Sequence, residues 1–299
     1  MRFSDRQRIG GQVAARRGPT YLRVILGTEL RTLRERTGET AEAVSEALGF
    51  SRTKLSRVEK GDIPLPKLAD LERLMDRYKI TDPDDRETLL AMQRGSLSTE
   101  PWTCYRHILP SGGPLFFGLE RDAKRICGYE NTVVAGLLQT EPYARSQLNS
   151  AKIVEERTTE FVEHGVRVRM ERKKKIEAPN GAELHIILTE NTLRTVIGSP
   201  EVMRAQYEEI IRLNELENVE VQIIPESLPT YRAAWSFTML EFDALGPVIQ
   251  SDSYKASTMW SKETDVWQYQ RHFSAMAKAA PGPLETPRIL HELERKLWR

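Results

Sequence analysis

Two short apolar stripes separated by one glycine constrain the fold of this chain more than any other feature. The stripes are Val44, Ala47 and Leu48, followed by Leu55 and Val58. Gly49 lies between them and allows the left-handed backbone of a tight turn. Thr40 and Ser51 are good N-caps. The pattern predicts one helix from Thr40 to Leu48 and a second from Ser51 up to Gly61.

Two short helices joined by a glycine turn form a helix-turn-helix, in which the second helix enters the major groove of DNA. The early, outward residues of that helix are expected to contact bases, and these are Arg52, Thr53 and Lys54. Three more residues are expected to contact phosphates, which position the protein without reading sequence: Ser51, Ser56 and Arg57. The alternative is a helical bundle that serves another purpose.

The same stretch resembles a known family. The segments GTELRTLRERTG and AEAVSEALGFSRTKLSRVEKG are similar to the Cro/C1 (XRE-type) helix-turn-helix family, and residues 55–61 match its S-R-hydrophobic-E-x-G signature. The family usually opens the first of the two helices with Thr-Gln and uses the glutamine at DNA. This chain has Thr40-Ala41 instead. The apolar stripes predict five helices in this module, and we include Thr40 among the expected DNA-binding residues.

The periodicity along the chain predicts a mainly α protein with an α+β second domain. We expect a basic arm over residues 1–20, the helix-turn-helix domain over 21–95, a linker over 96–118 and a mixed domain with a small β-sheet over 119–299. The fifth helix of the first domain is expected to begin after Asp82-Pro83. Predicted strands cover 184–188, 219–224, 236–242 and 248–251. Predicted helices cover 153–177, 201–216 and 262–279.

The second domain also resembles a family, through the segment YENTVVAGLLQTEPYAR at residues 129–145. This segment is similar to the antitoxin-like C-terminal domain of actinobacterial XRE-type regulators. The resemblance implies transcription regulation together with a small acidic partner protein encoded nearby. From the residues themselves we predict a groove for a partner or ligand, lined by Tyr129, Gln139, Tyr143 and Arg145. The alternative is an ordinary core segment.

Two further features of the second domain leave alternatives open. Trp235, Trp260 and Trp267 are interpreted as core residues, with interface anchors as the alternative. The run Lys173-Lys174-Lys175 is interpreted as a solvated helix face, with a nucleic-acid or partner contact as the alternative.

The remaining sequence features exclude several classes of protein. Residues 1–95 carry a net charge of +4 and the rest −3, which places the basic excess beside the predicted DNA reader. The five histidines show no metal-ligand spacing, and no catalytic or phosphate-binding motif is present. We therefore expect no enzyme, no metal and no cofactor. No apolar run could span a membrane, and two cysteines, Cys104 and Cys127, indicate a reducing cytoplasm.

Three functional hypotheses follow. The first is a cytoplasmic, nucleoid-associated regulator that binds double-stranded DNA as a homodimer and is controlled by a protein partner. The second is the same DNA reader controlled by a small molecule, which requires a cavity of several hundred Å³ with converging polar groups. The third is an enzyme or scaffold with an incidental helical bundle.

Overall fold

The structure is a computed structural model that describes residues 17–51, 53–98, 112–155, 158–253 and 256–297. The chain forms two compact units, Met1–Thr103 and Cys104–Arg299. Arg52, Cys104 and most of the expected basic arm lie outside the described residues.

Within its described residues, the first unit is a bundle of five helices, as predicted. They are α1 (Pro19–Thr37), α2 (Ala41–Ala47), α3 (Lys54–Glu59), α4 (Leu68–Arg77) and α5 (Pro83–Ser96). The predicted apolar stripes meet in one core, which includes Leu30, Val44, Leu55, Val58, Leu71 and Leu74, each at most 2% exposed. The bundle is stable because each short amphipathic helix buries its stripe against the others.

The starts of α5 and α1 can be compared with the helix boundaries predicted from the sequence. Asp82 caps α5, as expected, because its carboxylate accepts from the backbone N–H groups of Asp84 and Asp85 at 2.9 and 3.1 Å. The first helix begins at Pro19, inside the segment predicted as an arm. Pro19 occupies the first helical turn, where a missing N–H costs no hydrogen bond.

The second unit is an α+β domain built on one six-stranded mixed sheet. Its strands are β1 (Arg125–Glu130), β2 (Glu183–Thr189), β3 (Val219–Ile224), β4 (Phe237–Glu241), β5 (Val248–Asp252) and β6 (Ser257–Trp260), in the spatial order β3-β2-β1-β4-β5-β6. β3, β2 and β1 are parallel, and β4, β5 and β6 continue antiparallel. β1 is therefore the strand at which the sheet changes from parallel to antiparallel.

Seven helices are described in this unit: α6 (Gly113–Asp122), α7 (Glu141–Ser150), α8 (Thr159–Glu177), α9 (Glu190–Arg194), α10 (Pro200–Asn214), α11 (Glu263–Ala279) and α12 (Thr286–Leu297). One face of the sheet, with Cys127, Ile187 and Met239, packs against α11. The opposite face, with Ile126 and Ile186, lies beneath α6 and α8. Both faces are covered, so the central strands are apolar throughout.

Several boundaries differ from the prediction. α6 begins within the stretch expected as a linker, because Pro114 and a left-handed Gly112 start a helix there. The predicted helix 153–177 begins only at Thr159, after a Thr158 N-cap, and Ala151–Ile153 forms a separate 3-10 turn. β1 and β6 were not predicted. Burial of β1 on both faces removes the alternation that marks a strand in a sequence.

Within the part of the chain that the structure describes, no helix is long and apolar enough to cross a membrane. The same residues contain no cluster of three side chains able to hold a metal ion.

Candidate nucleic-acid interface and second-unit cavity

The turn between α2 and α3 has the geometry that its glycine predicts. Gly49 adopts φ of +65°, and the N–H of Phe50 donates to the carbonyl of Ser45 at 2.8 Å, which closes the end of α2. Thr40 caps α2, because its hydroxyl accepts from the N–H of Ala43 at 3.2 Å. These residues form the expected helix-turn-helix.

α3 begins later than predicted, so Ser51 is not its N-cap. The carbonyl of Ser51 accepts from the N–H of Lys54 at 2.9 Å, forming a turn that precedes the helix. Thr53 occupies the cap position with an α-like backbone and no side-chain cap bond. The hydroxyls of Ser51 and Thr53, both exposed, are not used to cap α3.

One face of α3 is exposed and basic. Thr53, Arg57 and Lys60 are exposed and follow an i, i+4, i+7 spacing, whereas Leu55 and Val58 are buried in the core. Ser56 is half-buried beside this exposed stripe. Lys60 was missed by the sequence analysis, although its spacing from Arg57 could have indicated it.

Lys54, which the sequence analysis assigned to base contact, is held by side chains of its own unit. Its Nζ donates to Oδ2 of Asp70 at 2.6 Å and lies 4.0 Å from the centre of the Phe50 ring. Asp70 belongs to α4, so this ion pair joins α3 to α4.

The position of α3 on α1 is fixed by a buried ion pair and a close backbone approach. Arg34 donates to both carboxylate oxygens of Glu59, and both side chains are largely buried. A Cβ added at Gly27 of α1 would lie 2.4 Å from the carbonyl oxygen of Val58, closer than real contacts allow. Glu59, the glutamate of the segment at residues 56–59, therefore stabilises the fold, whereas Arg57 of the same segment is exposed.

The second unit contains a cavity of about 340 Å³ between the sheet and α6, α8 and the segment 133–139. Its walls combine apolar and polar surface, and the apolar part includes Phe116, Val134, Leu148 and Ile186. Polar groups enter it from different elements: Glu120 from α6, Glu130 from β1, Gln139, Arg172 from α8 and Asp252 from β5. Small-molecule sites likewise combine apolar walls with convergent polar groups.

The structure does not bring the four predicted groove residues together. Tyr129 packs against Phe237 on the opposite face of the sheet, with ring centres 6.0 Å apart. The hydroxyl of Tyr143 accepts from the N–H of Val134 at 3.3 Å, and Tyr143 is fully buried. Arg145 donates two hydrogen bonds of 2.8 Å to the carboxylate of Glu163. Of the four residues, only Gln139 lines the cavity.

Gln139 carries an acceptor without a partner. Its Nε2 donates to the carbonyl of Val134 at 2.8 Å and to Oε1 of Gln147 at 3.1 Å. These two acceptors fix the orientation of the amide, because a flipped amide would place oxygen against oxygen. Its Oε1 is buried and has no hydrogen-bond partner among the described residues. A buried acceptor of this kind costs free energy until a donor reaches it.

Two carboxylates of the cavity differ in their hydrogen-bond partners. The carboxylate of Glu120 accepts hydrogen bonds from Nε and Nη2 of Arg172, each 2.7 Å long. The same guanidinium lies 4.3 Å from the centre of the Phe117 ring. Glu130 has no such bidentate partner, and burial raises the pKa of its carboxyl to about 7. Near neutral pH, Glu130 is therefore divided between its neutral and its charged form.

Comparison with known protein families connects both units to other proteins. A family model described as a helix-turn-helix domain matches residues 25–89, and a model described as a domain of unknown function, DUF5753, matches residues 114–292. The second match covers more than half of the chain. The chain belongs to the DUF5753 family. Its helix-turn-helix domain identifies it as a DNA-binding regulator. No curated protein and no solved structure matches it.

The DUF5753 domain also presents an exposed aromatic surface, formed by Tyr231, Trp235, Trp267, Arg271 and His272. The three aromatic side chains Tyr231, Trp235 and Trp267 are 45%, 43% and 54% exposed. The hydroxyl of Tyr231 and Nδ1 of His272 are hydrogen-bonded at 2.7 Å, and Arg271 lies 4.7 Å from the Trp267 ring centre. The interpretation as core is therefore wrong for Trp235 and Trp267.

The lysine run of the DUF5753 domain is not uniformly solvated. Lys173 is 7% exposed and forms an ion pair with Glu209 of α10. Lys175 donates to the carbonyl of Ala123 at 2.8 Å. Lys174 alone is exposed, paired with Glu171. The predicted solvated face is wrong for Lys173, because α8 packs that side chain against α10.

Proposed function

We propose that this protein is a sequence-specific transcription regulator that binds operator DNA as a homodimer, with α3 of each copy in the major groove. The observation that carries the proposal is the exposed basic stripe of α3 within a helix-turn-helix. Two half-sites about one helical turn apart would place two copies of this helix in successive major grooves. The protein would act in the cytoplasm at the nucleoid.

The proposed DNA-binding residues divide into two roles. Arg52 and Thr53, which precede Lys54 in the chain, would contact bases, because an arginine can donate hydrogen bonds to both acceptors of guanine. Phosphate contacts would come from the polar side chains around them, namely Thr40, Ser51, Ser56, Arg57 and Lys60. Lys54 would act indirectly, because its bond to Asp70 holds α3 against α4.

The decisive experiment is fluorescence-anisotropy titration of the full chain with its own upstream DNA and with a scrambled duplex of equal length. We expect tighter binding to the upstream DNA and a loss of affinity for both duplexes as salt rises. Equal affinity for the two duplexes would contradict sequence-specific reading. No binding even at low salt would reject DNA binding and return the enzyme or scaffold hypothesis.

We also propose that the DUF5753 domain controls this regulator by binding a small acidic partner protein at the exposed aromatic surface. Large aromatic side chains beside an arginine are typical of the residues that dominate binding free energy at protein interfaces. Arg271 supplies the charge that an acidic partner would complement. The partner type follows from the resemblance to antitoxin-like regulators.

This surface can be tested by titrating the purified small protein encoded beside the regulator gene against the full chain. We expect Trp267→Ala and Arg271→Ala to weaken binding, and the exposed variant Lys278→Ala at the end of α11 to leave it unchanged. Equal affinity of all variants would exclude this surface. The DNA titration, run in parallel, shows whether the partner changes operator affinity.

A second candidate for control is a small molecule, and the cavity of about 340 Å³ favours it. The cavity has the size and the mixture of apolar walls and polar groups expected of a ligand site. A thermal shift caused by a metabolite but not by the small protein would favour this mode of control over the first.

A further inference from the structure

We infer that the cavity between the sheet and helices α6 and α8 binds a small organic amine in its ammonium form. The ligand would place its N–H donors against Glu130 and Gln139 and its apolar body against Phe116, Val134 and Ile186. This inference deepens the small-molecule form of control proposed above, but binding itself requires no DNA.

The charge balance of the cavity supports a cation. Its described lining includes three carboxylates, Glu120, Glu130 and Asp252, and two guanidinium groups, Arg169 and Arg172. Arg172 already forms two hydrogen bonds with Glu120, so its positive charge is paired with that carboxylate. The guanidinium of Arg169 donates to the carbonyl of Gly165 at 3.2 Å. Ionisation of Glu130 therefore leaves the cavity with excess negative charge, which a cation would neutralise.

The hydrogen-bonding groups support a donor on the ligand. Gln139 has used both of its amide hydrogens, and only its acceptor oxygen remains without a partner. A carboxylate is likewise an acceptor when it is ionised. An ammonium group has several N–H donors and no acceptor, so it matches both groups, whereas a carboxylate ligand would offer no donor to either.

The position in the fold is also that of a ligand site. Glu130 is the last residue of β1, and the chain continues from β1 to β2 and β3 on one side of it and then to β4 on the other side. Ligands of open α/β sheets bind beyond the carboxyl ends of strands, where the direction of chain connections reverses. Apolar residues from the sheet and from two covering helices complete the walls.

The test uses three probes of similar shape, each added to the full chain without DNA: phenethylamine, 2-phenylethanol and 3-phenylpropionate. Only the amine is expected to raise the Tm, with a shift that grows with its concentration. Calorimetric titration then gives its Kd. If the neutral or the anionic probe binds as tightly as the amine, or if none of them binds at millimolar concentration, the inference is wrong.

Two variants locate the site. Glu130→Gln keeps the shape of the side chain and is expected to weaken amine binding by roughly tenfold, since it removes the charge from the hydrogen bond. The matched control Glu171→Gln, on the exposed face of α8, should bind as the wild type does. Val133→Phe is expected to block the cavity; its unliganded Tm reports whether it still folds. Wild-type affinity in folded Glu130→Gln and Val133→Phe would overturn the inference.

The two proposals can fail separately. Amine binding without any effect on operator affinity would support the cavity and remove its role in regulation. Loss of sequence-specific DNA binding by the unliganded chain would reject the regulator and leave the amine site unaffected.

Discussion

Arg34 of α1 donates to both carboxylate oxygens of Glu59 at the end of α3, at 2.7 and 3.0 Å. Arg34 also donates to the carbonyl of Glu39 at 2.7 Å, just before α2 begins. One guanidinium therefore joins α1 to both helices of the helix-turn-helix. The side chains are 11% and 5% exposed, so the pair is shielded from water and from salt.

We expect Glu59→Gln to destabilise the first unit by about 3 kcal/mol, because it removes the buried counter-charge of Arg34. The measurement is thermal unfolding followed by circular dichroism. The control Glu87→Gln breaks the exposed Arg94–Glu87 pair of α5 and should leave the Tm almost unchanged. Equal effects of the two variants would show that the buried pair contributes nothing beyond an exposed pair.

We expect Gly27→Ala to destabilise the same unit by about 1–3 kcal/mol and to weaken operator binding, because the added methyl group would displace α3 from α1. The collision is with backbone carbonyl oxygens of Val58 and Glu59, which no side-chain rotation relieves. The neighbouring variant Thr28→Ala, on the exposed side of α1, should fold and bind DNA normally. An unchanged Tm in Gly27→Ala would mean that the two helices can separate without cost.

Two arginines should affect DNA binding differently. Arg57→Ala is expected to weaken binding to all sequences alike and to reduce the slope of log Kd against log salt by about 1, as loss of a phosphate contact does. Arg52 lies outside the described residues, and its expected base contact rests on its place ahead of α3. Arg52→Ala should cost about 1–3 kcal/mol at one base position and relax specificity there.

Arg94→Ala is the control for this comparison, since it removes one positive charge from α5 where Arg94 pairs with Glu87. It should leave both the salt slope and the sequence preference intact. A uniform loss on every sequence in Arg52→Ala would assign Arg52 to phosphate instead of a base.

We expect Glu130→Gln to stabilise the second unit at about pH 8 and to have little effect near pH 5. Burial raises the pKa of Glu130 to about 7, from 4.5 in an exposed glutamate. The protonated carboxyl therefore contributes stability below about pH 4.5, and this contribution is lost as the pH rises towards 7. The charge of Asp252 raises this pKa further, whereas the charge of Arg172 lowers it. A Tm difference that is independent of pH would contradict this assignment.

Cys127 should be unreactive in the folded protein. It is 2% exposed and not disulfide-bonded, and burial raises the pKa of its thiol to about 11. At pH 8 the reactive thiolate is then only about 0.1% of the thiol. In a Cys104→Ser variant, Cys127 is the only cysteine, and a disulfide reagent should modify it only after denaturant is added. Rapid modification without denaturant would show that β1 opens readily.

Local patterns account for what could be predicted of the first unit. The apolar stripes, Gly49 and the Asp82 cap act within a few residues of the chain, so helix positions follow from the sequence alone. The start of α3 could not be predicted, because Ser51 and Thr53 are equally plausible caps. The ion pair of Lys54 could not be predicted either, because its partner Asp70 is sixteen residues away in the chain and is brought near by the packing of α4.

In the second unit, the sequence by itself determined the mixed α+β class and four of the six strands, where alternating or branched apolar residues mark a strand. Only the tertiary structure decided that residues 125–130 are a strand, because their backbone hydrogen bonds are made to β2 and β4, more than fifty residues along the chain. The same holds for the cavity. Glu130, Gln139 and Arg172 become neighbours only when the sheet forms and α8 covers it, since no local spacing relates side chains on separate elements.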